Sequence, residues 1–152
     1  MAKFKFKLDG VLKIREFKEK EAMNAIAEVV AQIEETKAEI RDIHSAIDRG
    51  YESQDSLKDG AIKGHQLSFY PMFFKGKNEH LKNCEAKLAA LEKKYQRRVQ
   101  EYAEAKGEVK VIEKLKDKEF AAFKKEMEKK VEENREEFVV MQMSRRKKRT
   151  EL

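Results

Sequence analysis

Residues 51–76 read YESQDSLKDGAIKGHQLSFYPMFFKG. They hold the single proline, Pro71, three of the six glycines (Gly60, Gly64, Gly76) and five of the thirteen aromatic residues (Tyr51, Phe69, Tyr70, Phe73, Phe74). Long charged stretches flank them, and both read as helix. Two helices joined by a Gly/Pro-marked turn make a hairpin. A plain connector is polar. This one also carries Leu67 and Met72 beside its aromatic rings, which is more apolar surface than a tip needs. The expectation is that these side chains partly plug the open end of the hairpin and partly anchor a partner, as clustered aromatic residues often do.

Upstream, Ile26, Val30, Ile33, Lys37, Ile40, His44, Ile47 and Tyr51 alternate spacings of four and three. That is a heptad seam with Lys37 and His44 as its polar members. Leu8, Leu12 and Met23 extend it loosely, with Glu16 and Glu19 at seam positions. Downstream, Leu81, Cys84, Leu88, Leu91, Tyr95, Arg98, Tyr102, Ala105, Val109 and Ile112 form a longer seam. Beyond Ile112 the phase slips through Lys116, Phe120, Phe123, Met127, Val131, Asn134, Phe138 and Met141, as stutters do.

The expected fold is therefore all-α, a long antiparallel two-helix coiled-coil hairpin whose second helix is the longer. We place helix 1 at about 5–55, the aromatic turn at about 56–76, helix 2 at about 77–143 and a basic tail at 144–152. The whole is read as one coiled-coil domain. A turn centred near residue 63 sets residue i opposite roughly 126 − i. Residues beyond about 125 then have no partner within the chain, yet they carry Met127, Val131, Phe138, Val139, Val140, Met141 and Met143. An exposed apolar stripe marks an interface. It docks into another protein or pairs with a second copy.

Composition narrows the function. Charged residues make up 42% of the 152 and there is no Trp, which is the profile of a long helix or coiled coil. Net charge is +6, and residues 77–152 hold the excess, with Arg145, Arg146, Lys147, Lys148 and Arg149 as its densest cluster. Elsewhere basic residues interleave with acidic ones, so nucleic-acid binding is not expected. The lone Cys84 excludes an internal disulfide. No apolar run is long enough to span a bilayer, residues 1–9 do not read as a signal peptide, and no direct membrane insertion is expected. His80 and Cys84 sit four apart on one helical face, but two ligands are too few for structural zinc, so no metal is expected. Gly60-x-x-x-Gly64-His65 lacks the ending of a phosphate loop. Two narrow helices offer no closed cleft for catalysis, so no catalytic residues and no cofactor are expected.

The N-terminal run from Phe4 through Lys7-Leu8, Val11-Leu12 and Arg15-Glu16 to Lys18-Glu19 resembles the opening of the FliJ family of flagellar type III export proteins. The stretch Val111-Ile112-Glu113-Lys114-Leu115-Lys116-Asp117-Lys118 is similar to that family's second recurring segment. The resemblance implies an antiparallel coiled coil akin to the central stalk of rotary ATPases, with a place in flagellum biogenesis, protein transport and motility. It implies three partners: a hexameric export ATPase that receives the two chain ends, an export-gate membrane protein met by the turn side, and export chaperones. Localisation would be cytoplasmic, peripheral at the inner membrane through partners. Carried over, the gate-facing residues would be His44, Ile47, Tyr51, Tyr70, Phe73 and His80. The ATPase-facing residues would be Phe4, Phe6, Arg15, Lys114, Lys118, Phe138, Met141 and Arg145. The equivalent stalk of a virulence injectisome and a self-associating coiled-coil scaffold are the alternatives.

Overall fold

A computed structural model describes residues 2–58 and 64–151, the side chains of Lys58 and His65 apart. Within Gly60-x-x-x-Gly64-His65, residues 60–63 lie outside the described residues. Two helices account for nearly all of the chain: α1 (Asp9–Lys58) and α2 (Gly64–Thr150). The fold is an all-α helical hairpin with the longer helix second, and no strand occurs among the described residues. No described helix is long and apolar enough to cross a membrane.

Helix α2 begins earlier than the sequence pattern predicts. Gly64 opens α2, so Leu67, Phe69, Tyr70, Met72, Phe73 and Phe74 lie on helix and not in a turn. Pro71 sits inside α2. A helical proline forfeits a backbone hydrogen bond and costs on the order of 3 kcal/mol in an interior, so packing of the neighbouring rings must offset it. The far end is corrected too. The segment expected as a basic tail is helical through Thr150. Lys147, Lys148 and Arg149 occupy the last turn, where cations favour the carbonyl end of the helix dipole. The Thr150 hydroxyl donates to the carbonyls of Arg146 and Lys147, each at 3.0 Å.

The chain divides into two compact units, residues 18–105 and residues 1–17 with 106–152. In the first, α1 buries Val29, Thr36, Ile43 and Gly50 against α2, with Ile26, Ile33, Ile40 and Ile47 half-buried beside them. The spacing is the expected alternation of four and three, but half of the seam is shifted by one residue. Val30, Lys37, His44 and Tyr51 are exposed. The shift takes Lys37 and His44 out of the seam, where their solvation would be lost, and puts small or β-branched side chains there instead. Thr36 is 1% exposed, and its hydroxyl donates to the Gln32 carbonyl at 2.8 Å, so its burial leaves no polar atom unpaired. On α2, Cys84 and Leu91 are buried and Leu81, Leu88, Arg98, Tyr102 and Ala105 half-buried, as the spacing predicts; Tyr95 is exposed instead.

The second unit has a core of Phe6, Leu12, Val109 and Ile112, with Phe4 and Leu8 packed against it. Residues 2–6 carry no regular structure. Their alternation of Lys with Phe puts Phe4 and Phe6 on the protein side and leaves Lys3, Lys5 and Lys7 exposed. The Phe4 ring meets Phe120 edge-on at 5.3 Å and Phe123 at 5.5 Å. Lys116 donates to Asp9 at 3.2 Å and lies over the Phe6 ring. Arg15 donates to the backbone oxygen of Glu108 at 3.3 Å.

Candidate functional site

Two surfaces stand out, one in each unit. The first is an aromatic cluster in unit 18–105, near the end of α1 and the start of α2. Tyr51 on α1 stacks on Phe74 of α2, with centroids 4.2 Å apart and planes 17° apart. Phe74 also contacts Tyr70 and Phe73, and Phe69 contacts Tyr70 and Phe73. Offset and edge-on pairs of this kind contribute about 0.5–1.5 kcal/mol each beyond simple burial. A helical spacing of three and four puts these rings together, because residues 69/73 and 70/74 lie one turn apart.

Gly50 is what lets the rings close onto α1. A Cβ there would lie 2.8 Å from Phe73 Cε1 and 2.9 Å from Phe74 Cε1. Spacing alone assigns that seam position to Tyr51 and misses Gly50. The signal was available in the pairing of a lone glycine with the aromatic run, but it is non-local. A groove lined by Ala46, Arg49, Gly50, Ser53, Phe69, Tyr70 and Phe73 runs along this cluster. Phe69 and Met72 remain largely exposed beside it.

Of the expected gate-facing residues, Tyr51, Tyr70 and Phe73 fall in this cluster. His44 is exposed on the flank of α1 and Ile47 is half-buried in the seam. His80 is set apart by its own partner: its Nε2 donates to Glu39 Oε1 at 2.9 Å. Glu39, His80 and Cys84 bring their ligand atoms within 4.8 Å of one another. Sequence spacing supplies only the last two, because Glu39 arrives from the other helix. Burial pushes the Cys84 thiol up from its ordinary value, and the charge of Glu39 and a hydrogen bond to it push the same way, against a smaller pull from Lys87.

The second surface is the C-terminal part of α2. From Glu128 to Glu151 every residue is exposed. Phe138 and Met141 are 61% and 63% exposed, and Val131, Val140 and Met143 are as open. Residues 131, 134, 138, 141 and 145 keep the three-and-four spacing, so Val131, Phe138, Met141 and Arg145 share one helical face. Lys114 and Lys118 are exposed nearer the core of this unit. Phe4 is half-buried against Phe120 and Phe123, and Arg15 is half-buried on Glu108. Phe6 belongs to the core and offers a partner little surface. A whole helical segment with an apolar stripe and no internal cover contradicts burial-driven folding unless something else covers it.

No curated protein and no solved structure matches the chain. A family model described as flagellar FliJ protein matches residues 4–148, and the chain belongs to that family.

Proposed function

We propose that this chain is a non-catalytic stalk of the flagellar export apparatus, seated by its C-terminal helix in a hexameric export ATPase. Family membership supports a role in flagellar protein export in general. The uncovered stretch of α2 from Glu128 to Thr150 carries the finer reading. A lone helix with an apolar face and charged flanks is suited to enter a protein pore, where its stripe is buried and its charges face polar walls. Phe138, Met141 and Arg145 would make the contact, with Lys114, Lys118, Arg15 and Phe4 flanking it. Phe6 supports them from the core. Binding that is stronger to the assembled ring than to free subunits favours assembly by mass action.

The aromatic cluster would serve the second contact, with an export-gate membrane protein. Tyr51, Tyr70 and Phe73 act as anchors there, and His44, Ile47 and His80 form the surrounding surface. Chaperone handling and peripheral placement at the inner membrane belong to the same reading. The test is a pull-down of the cognate export ATPase with wild-type chain and with Phe138→Asp/Met141→Asp. Loss of capture with unchanged helicity supports the stalk. Unchanged capture discards the C-terminal stripe as the contact. The same stripe also suits a second copy of the chain, and light scattering decides this: a stable dimer at low micromolar concentration favours the self-associating scaffold.

A further inference from the structure

We propose that Glu39, His80 and Cys84 form a zinc site that clasps α1 to α2. The three ligand atoms already lie within 4.8 Å of one another. Tetrahedral zinc with bonds of about 2.0–2.3 Å holds its ligand atoms about 3.3–3.8 Å apart. An ion draws in the ligand atoms that stand up to 4.8 Å apart and opens the Glu39–His80 pair from 2.9 Å to about 3.3 Å. His80 and Cys84 stand one turn apart on a single face of α2, the spacing by which a helix presents two ligands to one ion. Glu39 comes from α1, so the ion bridges the hairpin and does not decorate one helix.

The donor set fits the metal. Imidazole nitrogen, carboxylate oxygen and thiolate sulfur together suit a borderline-soft cation without geometric preference, which is zinc. The side chains of His80 and Glu39 are 47% and 42% exposed, while Cys84 is buried. Two ligands therefore open to solvent and give the ion its entry, and water fills the fourth position. Loading releases the Cys84 thiol proton to solvent. It also shifts the His80 proton from Nε2, where it now faces Glu39, to Nδ1, so that Nε2 ligates through its lone pair. The site is independent of the ATPase reading.

Cobalt titration of the full chain tests this directly. Cobalt in a four-coordinate site with a thiolate shows a near-ultraviolet charge-transfer band and intense visible bands. One equivalent should produce both, and zinc should bleach them. Cys84→Ser should lose the charge-transfer band. Glu39→Gln and His80→Asn, both at partly exposed positions, should keep the helical signal and weaken binding on the order of tenfold or more, since even outer partners of a metal ligand contribute that much. At a matched zinc concentration the unfolding midpoint should rise more for the wild type than for Glu39→Gln. A charge-transfer band that is absent, or that persists at full strength in Glu39→Gln and His80→Asn, overturns the site. In the second case Cys84 would be binding the ion alone.

Discussion

Replacing Gly50 with Ala asks whether the aromatic cluster is seated against α1 as described. No described glycine has a positive φ, so the backbone tolerates Ala at every such position. Relief of glycine's entropic cost in a helix interior is worth about 1 kcal/mol. At Gly107 nothing lies within 4 Å of an added Cβ. Gly107→Ala should therefore stabilise the chain by about 1 kcal/mol. At Gly50 the same gain meets contacts of 2.8 and 2.9 Å to Phe73 and Phe74. Carbon atoms sit comfortably at about 3.5–4.0 Å, so two rings must give way by more than half an ångström. Each is held by others: Phe74 by its stack on Tyr51, and Phe73 by Phe69. Overpacking of this kind costs about 1–3 kcal/mol. Net, Gly50→Ala should be neutral to about 2 kcal/mol destabilising, and should lie about 1–3 kcal/mol below Gly107→Ala. Urea unfolding followed by helical circular dichroism reads both variants. If Gly50→Ala stabilises as much as Gly107→Ala, the rings are not packed against α1 and the seam assignment fails.

Other outcomes follow from the same geometry. Leu12→Ala, in the core with Phe6, Val109 and Ile112, should cost about 2–5 kcal/mol in the same unfolding assay. Thr36→Val should change stability by less than about 1 kcal/mol, because the Gln32 carbonyl keeps its intrahelical donor when the hydroxyl is lost. In metal-free protein the raised Cys84 value means the neutral thiol is the favoured folded form. Alkylation should then be slow below the ordinary value of 9.0 and accelerate above it, and any stability contributed by this group is complete below that value and lost as pH rises beyond it. Glu39→Gln, which removes the adjacent charge, should speed alkylation at a fixed pH near 8. Phe138→Asp/Met141→Asp removes apolar side chains that are about three-fifths exposed. Losing their burial in a partner should cost about 2–4 kcal/mol, or roughly one and a half to three orders of magnitude in affinity for the ATPase.

Periodicity carried much of the fold. The α2 seam from Leu81 to Ile112 was legible almost residue by residue, because its leucines leave one phase apolar. In α1 the isoleucines at 26, 33, 40 and 47 are flanked by two candidate rows. One holds Val30, Lys37, His44 and Tyr51, and the other Val29, Thr36, Ile43 and Gly50. Local hydrophobicity favours Tyr51 over Gly50. The structure takes the other row, because Thr36 finds a hydrogen bond inside its own helix and Gly50 finds two rings on the opposite one. Pro71 read as a turn for a related reason. The rings that follow it, Phe73 and Phe74, close onto Gly50 and Tyr51 of α1, a non-local arrangement that no local rule contains. The unpartnered C-terminal stripe needed only the unequal lengths of the two helices, whereas Glu39 beside His80 and Cys84 needed the register between them.

The most direct test of the stalk is the rate of the cognate hexameric export ATPase against added full-length chain. Stimulation that saturates near one chain per hexamer, and that Phe138→Asp/Met141→Asp abolishes without loss of helicity, is the predicted result. No stimulation by the wild type, or equal stimulation by the variant, would contradict a C-terminal helix seated in the ring.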